Sequence, residues 1–398
     1  MMRQRKKKWR LLAVLLCAGI WLQACTPENS VSQIFRERII SGSVDEEQKK
    51  QQAQEPVADS RQLEQPKRSQ ISVGKYAYDR LGEAEQAAYD EMLAAILRHD
   101  EKIRLSTLEL EVMQKAYTAI GEDYGGLFWV EGYVYTRYTK GDELVSLEFA
   151  PKYTMAEEER KRIQAQIDRT VEEWLRGISM SDSDYDKVKY VYELLAGNTE
   201  YLPGAENSQN IISVFLTRQT VCQGYACAVQ YLLGQLGMEG AIVSGSARGE
   251  SHAWNLIRMD GAYYYLDATW GNTEYRNGDG EGTPFIDYNY MAMTTEEMEW
   301  GHTPNGELEL PECTAVENSY FVKEGKYLDA WDPDRIGGLL AEAQANGQPV
   351  TLRFSEAALK EQAFQYFITE GHIADYCGEI SEINYMDDSD WMEISFLF

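Results

Sequence analysis

Ser251-His252-Ala253-Trp254-Asn255-Leu256-Ile257-Arg258-Met259-Asp260-Gly261-Ala262-Tyr263-Tyr264-Tyr265-Leu266-Asp267-Ala268-Thr269-Trp270 decides the fold. Two runs rich in β-branched and aromatic residues flank Asp260-Gly261, a dipeptide suited to the positive φ angles of a two-residue hairpin loop. With that loop, His252 faces Thr269 and Trp254 faces Asp267 across the strands. His252 and Asp267 then share one sheet face as diagonal neighbours, about 7–8 Å apart between Cα atoms and within side-chain reach. Asn255 points to the opposite face. A slip of one residue would exchange the faces, so the pairing depends on the turn.

Upstream, Cys222-Gln223-Gly224-Tyr225-Ala226-Cys227-Ala228-Val229-Gln230-Tyr231-Leu232-Leu233-Gly234-Gln235-Leu236 reads as a helix. Cys222, Ala226, Val229, Leu233 and Leu236 fall on one stripe, Thr220 is a candidate cap, and Gly237 is a stop. Cys222 is then in the first turn, where unpaired N–H groups and the helix dipole favour a thiolate. Taken alone, a cysteine is more often a small core hydrophobe and a histidine more often structural. Together, a thiol at a helix start, an imidazole to take its proton and a carboxylate to orient that imidazole are the parts of nucleophilic acyl transfer. The chain has only four histidines, His99, His252, His302 and His372. Of these, His252 shares a predicted face with an aspartate in the hairpin that follows the cysteine helix.

These blocks resemble the bacterial transglutaminase-like superfamily, relatives of papain-type cysteine proteases. Its pattern is C-x-G-x-A, then H-A-W-N, then D-x-T-W. The chain carries Cys222-Gln223-Gly224-Tyr225-Ala226, His252-Ala253-Trp254-Asn255 and Asp267-Ala268-Thr269-Trp270 in that order. The resemblance covers about residues 185–275. It implies an α+β core in which the helix bearing the cysteine packs on an antiparallel sheet bearing the histidine and aspartate. It assigns Cys222 as nucleophile, His252 as general base and Asp267 as orienting carboxylate. Trp254 and Trp270 are candidate cleft residues. Tyr201 is a candidate oxyanion donor beside the backbone N–H of Cys222. Cys227 matches no catalytic position. No cofactor and no metal site is expected.

The amino terminus sets the expected location. Six basic residues lie in the first ten, and residues 11–22 form an apolar run. That run is short of the ~20 residues a membrane span needs, and fits a signal-peptide core. It ends in Leu22-Gln23-Ala24-Cys25, which resembles the lipobox of bacterial lipoproteins, with Cys25 at the lipidated position. The layout is similar to that of Gram-positive surface lipoproteins. The expectation is an extracytoplasmic protein held to the membrane by lipid on Cys25 rather than by a spanning helix.

Composition excludes other classes. The chain has 398 residues, 38 basic and 65 acidic, for a formal net charge of −27. Removing residues 1–24 leaves 32 basic residues and a net of −33. Such a body repels phosphate backbones, so nucleic acid is not an expected partner. With 44% hydrophobic and 26% charged residues, the composition is that of a globular protein. Five cysteines follow the signal; Cys222 and Cys227 are too far apart on one helix to bridge, whereas a Cys313–Cys377 bridge stays open.

The expected organisation is a signal peptide over 1–24, a polar tether over 25–72, an α+β region over 73–180, the catalytic domain over 181–312 and a small α+β domain over 313–398. Helices are predicted over 79–98, 108–118, 155–178 and 183–197. A hairpin around Lys140-Gly141-Asp142 is predicted within 127–150. In the last region a strand is expected near 319–323, helices over 335–345 and 355–369, and strands at 349–354 and near 379–385 and 391–398. Gly278-Asp279-Gly280-Glu281-Gly282 reads as a solvated loop.

The functional expectation is a cysteine-dependent acyl-transfer enzyme on peptide or carboxamide bonds, with hydrolysis favoured over amine transfer. Cell-wall peptides and surface proteins are the substrates its location offers. The alternative is a non-catalytic surface binding module that keeps the fold.

Overall fold

A computed structural model describes residues 58–59, 75–140, 142–276, 282–378 and 383–398. The expected signal, Cys25 and most of the expected tether lie outside the described residues, as do Gly141 and most of the 278–282 loop. The strands are β1 (Ala58–Asp59), β2 (Ile103–Arg104), β3 (Val130–Lys140), β4 (Glu143–Tyr153), β5 (Glu200–Tyr201), β6 (Gln219–Thr220), β7 (Gly240–Ala247), β8 (Glu250–Met259), β9 (Ala262–Leu266), β10 (Asn272–Arg276), β11 (Gly282–Ile286), β12 (His302–Pro304), β13 (Tyr327–Leu328), β14 (Val350–Phe354), β15 (Asn384–Asp388) and β16 (Glu393–Leu397). The α-helices are α1 (Glu83–Arg98), α2 (Leu110–Asp123), α3 (Glu157–Trp174), α4 (Asp184–Asn198), α5 (Cys222–Gln235), α6 (Ala268–Gly271), α7 (Thr295–Glu299), α8 (Tyr320–Lys323), α9 (Pro333–Asn346), α10 (Ala357–Phe364) and α11 (Ile373–Cys377).

These elements make an α+β protein of two compact units. Among the described residues, the larger unit holds 58–273 and 286–323, and the smaller holds 274–285 and 324–398. The smaller unit is built on the sheet β13-β14-β16-β15. Leu328, Ile336, Leu340, Leu352, Phe354, Phe367, Ile394 and Phe396 fill its core.

The larger unit joins two regions expected to part at residue 180. Side chains far apart in sequence tie them. Gln230 of α5 accepts from Gly125 N through Oε1 at 2.9 Å and donates through Nε2 to the carbonyl of Asp123. Asp123 in turn accepts from Ala77 N and Tyr78 N at 2.9 and 3.0 Å, and from Tyr89 Oη at 3.0 Å. A buried carboxylate needs such donors, and they bind the start of this unit's helical region to α2.

Two four-stranded sheets frame this unit, β1-β2-β4-β3 and β12-β7-β8-β9. The second carries the site. Its β8–β9 hairpin pairs Met259 with Ala262 and Asn255 with Leu266. Asp260 and Gly261 both take positive φ, 49° and 87°, the turn that the dipeptide favours. The helices of this unit follow the predicted periodicity, with ends shifted by a few residues. At α4 the Ser183 hydroxyl accepts from Asp186 N at 3.1 Å, a cap typically contributing about 1 kcal/mol.

One predicted strand is a helix. Residues 319–323 look β-prone, with Tyr320, Phe321 and Val322 in succession. They instead form α8, because Tyr320 stacks on Tyr288 with ring centroids 3.6 Å apart and the chain bends through the Val316–Ser319 turn. Packing overrides the local preference. Among the described residues no helix is long and apolar enough to cross a membrane.

Candidate active site

Helix α5 begins at Cys222, with Val221 as its cap residue. Thr220 is not the cap. Its hydroxyl donates to the carbonyl of Ser208 at 2.8 Å and accepts from Ser213 Oγ at 2.7 Å, so it anchors the preceding loop instead. No side chain caps the helix start and no acidic residue lies in the first turn. Both features leave the dipole's positive end to the thiol. Gly224 is required by a close approach: a Cβ there would lie 1.9 Å from Thr220 Oγ1 and 2.8 Å from Ser208 O. The glycine of the C-x-G block thus lets the loop close over the first turn. Gly237, at φ 76°, ends the helix as predicted.

The predicted single apolar stripe is an understatement, since eleven of the fourteen residues of α5 are buried. The helix lies on β8, and Asn255 fastens it: Nδ2 donates to the Ala226 carbonyl at 2.9 Å. Asn255 therefore faces the helix and away from Asp267.

His252 on β8 and Asp267 are brought together. His252 Nε2 lies 2.7 Å from Asp267 Oδ2, and both residues are buried. Asp267 follows β9 directly and caps α6, its Oδ1 accepting from Thr269 N at 2.9 Å. Burial opposes ionisation of Asp267, but the two histidines on it outweigh that cost and hold its carboxyl below the ordinary range. With Nε2 committed to Asp267, His252 has Nδ1 left for a thiol.

The second of those histidines is His302, which no sequence motif singles out. Its Nε2 lies 3.0 Å from the same Oδ2, and its Nδ1 lies 3.2 Å from the carbonyl of Met298. His302 arrives on β12, a three-residue strand paired to β7 as His302–Ala247 and Pro304–Gly245. Gly245 permits this approach: a Cβ there would lie 2.2 Å from Thr303 O and 2.8 Å from the Trp254 ring. No hairpin or helix period links residue 302 to residue 267, so local pattern gives no signal for it.

Trp254 is 1% exposed and packs against His302 with ring centroids 4.9 Å apart, so it backs the site rather than lining an open cleft. Trp270 is half-buried, 5.5 Å from the His252 ring and 4.4 Å from that of His302. Tyr201 on β5 pairs with Thr220 on β6, two residues before Cys222. Cys222, Cys227, Cys313 and Cys377 are buried and none of them forms a disulfide, so Cys313 and Cys377 do not bridge. Burial pushes the Cys227 thiol up to about 12 and that of Cys313 to about 11.

Among the described residues, His252, Asp267 and His302 are the three whose ligand atoms converge as a metal would require, all within 4.8 Å. Ligand atoms around a tetrahedral zinc at about 2.0–2.1 Å stand roughly 3.3 Å apart. Here both nitrogens sit closer than that to one shared oxygen, at 2.7 and 3.0 Å, which is a hydrogen-bonded arrangement.

Residues 172–268 match the sequence profile of the transglutaminase-like superfamily. The matched segment spans Cys222, His252 and Asp267 and stops short of His302. The transglutaminase-like match is thus to this segment of the larger unit. Comparison with curated proteins finds no match. Among solved structures, a TGase aligns at 17% identity, covering 44% of this chain and 53% of its own, with a TM-score of 0.26. A candidate cysteine protease from Cytophaga hutchinsonii aligns at 15% identity over 34% of this chain and 61% of its own, with a TM-score of 0.24. The periplasmic domain of TgpA from Pseudomonas aeruginosa aligns at 13% identity over 32% of this chain and 55% of its own, with a TM-score of 0.21. The chain thus spans between half and two thirds of the length of these three proteins.

Proposed function

We propose that the chain is a cysteine-dependent acyl-transfer enzyme acting on peptide or carboxamide carbonyls outside the cytoplasm. The observation that carries this reading is the buried His252–Asp267 pair, joined to the sheet on which the helix headed by Cys222 packs. Cys222 gives its proton to Nδ1 of His252, and the thiolate attacks the carbonyl carbon. The oxyanion is met by N–H groups at the helix start, with Tyr201 as a further donor. His252 then returns the proton to the departing amine, leaving a thioester on Cys222. Water, deprotonated by His252, hydrolyses the thioester and regenerates the thiol. An amine acceptor would instead give transfer. Hydrolysis is favoured because water is the abundant acceptor at a cell surface, where cell-wall peptides and surface proteins are the substrates at hand.

The test is mass spectrometry of the protein after exposure to peptide amides, with and without excess primary amine. A thioester at Cys222 that yields free acid even with amine present is the expected result. Amine incorporation would move the assignment to transfer. No adduct with any acyl donor would favour a non-catalytic surface module.

The anchoring rests on Leu22-Gln23-Ala24-Cys25. Cys25→Ala should abolish metabolic lipid labelling and either release the protein or leave its signal uncleaved. Labelling that persists in this variant would sink the lipoprotein reading.

A further inference from the structure

Asp267 is pinned from three sides. Thr269 N holds Oδ1, and both His252 and His302 reach Oδ2. A triad needs one imidazole on its carboxylate, so the second requires an explanation. His302 is 2% exposed, and its ring is closed in by Trp270 and Trp254. Both of its ring nitrogens face acceptors, the Met298 carbonyl and the Asp267 carboxylate. A neutral imidazole has one N–H and can serve only one of these, leaving a lone pair against an oxygen at the other. With a proton on both nitrogens, both contacts are hydrogen bonds.

We propose that His302 is a positioning residue for the site, an imidazolium that anchors Asp267 and takes up part of its charge. The inference rests on the proposed function, in which Asp267 orients and stabilises the His252 imidazolium. Cys222 is the thiol that His252 serves. Arg248, next to the β7 end, holds its guanidinium carbon 4.5 Å from the Trp270 ring centre. Tyr290 lies 6.5 Å from His302, centroid to centroid, and Tyr192 and Tyr225 are near enough to feel the Asp267 charge. On α7, the Glu297 carboxylate is turned to Thr294, and Glu296 and Glu299 are exposed. None of these supplies Asp267 with a second hydrogen-bond donor in place of His302.

Two consequences separate anchoring from charge. Without the donor, Asp267 is held less firmly and His252 is oriented less well. Without the positive charge, the carboxylate acts on His252 alone, and the Cys222 thiolate–His252 imidazolium pair survives to higher pH. The probe is alkylation of Cys222 by iodoacetate, an anionic reagent whose rate needs thiolate and imidazolium together. In the full chain, His302→Phe should lower the plateau rate about ten-fold and raise the upper limb of the pH profile by roughly half to one unit. His302→Gln keeps a neutral donor, so it should restore the plateau while the upper limb stays raised. Imidazole ¹⁵N spectra of the wild type at neutral pH should show His302 protonated on both nitrogens, a reading independent of reactivity. A neutral His302 ring, or variants that keep both wild-type plateau and wild-type limb, would overturn the proposal. A wild-type profile like that of an ordinary thiol would count against the proposed function, and the spectra would still decide the state of His302.

Discussion

Cys222→Ala is expected to abolish the acyl adduct and all turnover, whereas Cys227→Ser should leave both intact. The contrast arises from position on one helix. Cys222 opens α5, where no acid competes for the dipole and no side chain fills the cap. Cys227 lies five residues on, buried, and its thiol is pushed up to about 12 by burial, against which a bond from Gln223 Nε2 at 3.4 Å acts only weakly. At pH 7 a thiol of that kind is ionised to about one part in 10⁵. Burial also raises the thiols of Cys313, to about 11, and of Cys377, which disfavours their thiolates. An electrophile offered to the native protein near neutral pH should therefore label one residue. Exchanging a buried sulfhydryl for a methyl removes little volume, so Cys222→Ala should fold, with a loss on the order of 1 kcal/mol. Peptide mapping of the labelled protein decides the matter. An adduct on Cys227 would mean that the position of the thiol on the helix does not govern its reactivity here.

Such features were legible because they are local. Asp260-Gly261 fixes the hairpin register by its own backbone preferences, but the ladder ends at Asn255–Leu266, so the expected Trp254–Asp267 and His252–Thr269 pairs do not form; Asp267 reaches His252 from the end of β9, where the chain turns into α6. The limits of α5 are equally local, since Gly237 ends it and Cys222 falls in its first turn. What the sequence does not display depends on approaches between distant segments. Thr220 looks like a cap, yet its hydroxyl is taken by Ser208 and Ser213 in the loop that Gly224 allows to close. His302 depends on a three-residue strand reaching β7 across a glycine, thirty-five residues after Asp267. The union of residues 75–180 with the core rests on Gln230, whose amide carries bonds to Asp123 and Gly125 over more than a hundred residues. Periodicity reports which face of an element is apolar and is silent on which distant element covers it.

Asp267→Asn should retain the fold and part of the activity, and Asp267→Ala should lose most of both. Ionised Asp267 is stabilised by two histidines against its burial, so its carboxyl titrates below the ordinary range. A depressed folded value means that the stabilisation is present above the unfolded carboxylate's value of about 4 and is lost as pH falls through the lower folded value. Asparagine keeps an oxygen to accept from His252 and removes the charge. The Cys222–His252 ion pair should then dissolve at a lower pH than in the wild type, and stability should depend less on pH in the acid range. Alanine leaves two buried imidazoles without their acceptor and Thr269 N without its cap, a loss that for broken buried pairs runs to about 3–5 kcal/mol. Loss of orientation should also cost about 10²–10⁴ in rate. Asn255→Ala is the control on the opposite face. It frees α5 from β8 by removing the bond to the Ala226 carbonyl, so it should lower the melting temperature and leave the pH profile where it was. The three variants are compared by the pH dependence of Cys222 alkylation and by thermal unfolding. A profile shifted by Asn255→Ala and untouched by both Asp267 variants would make Asn255 the third member of the site, and the charge of Asp267 would then serve the fold alone.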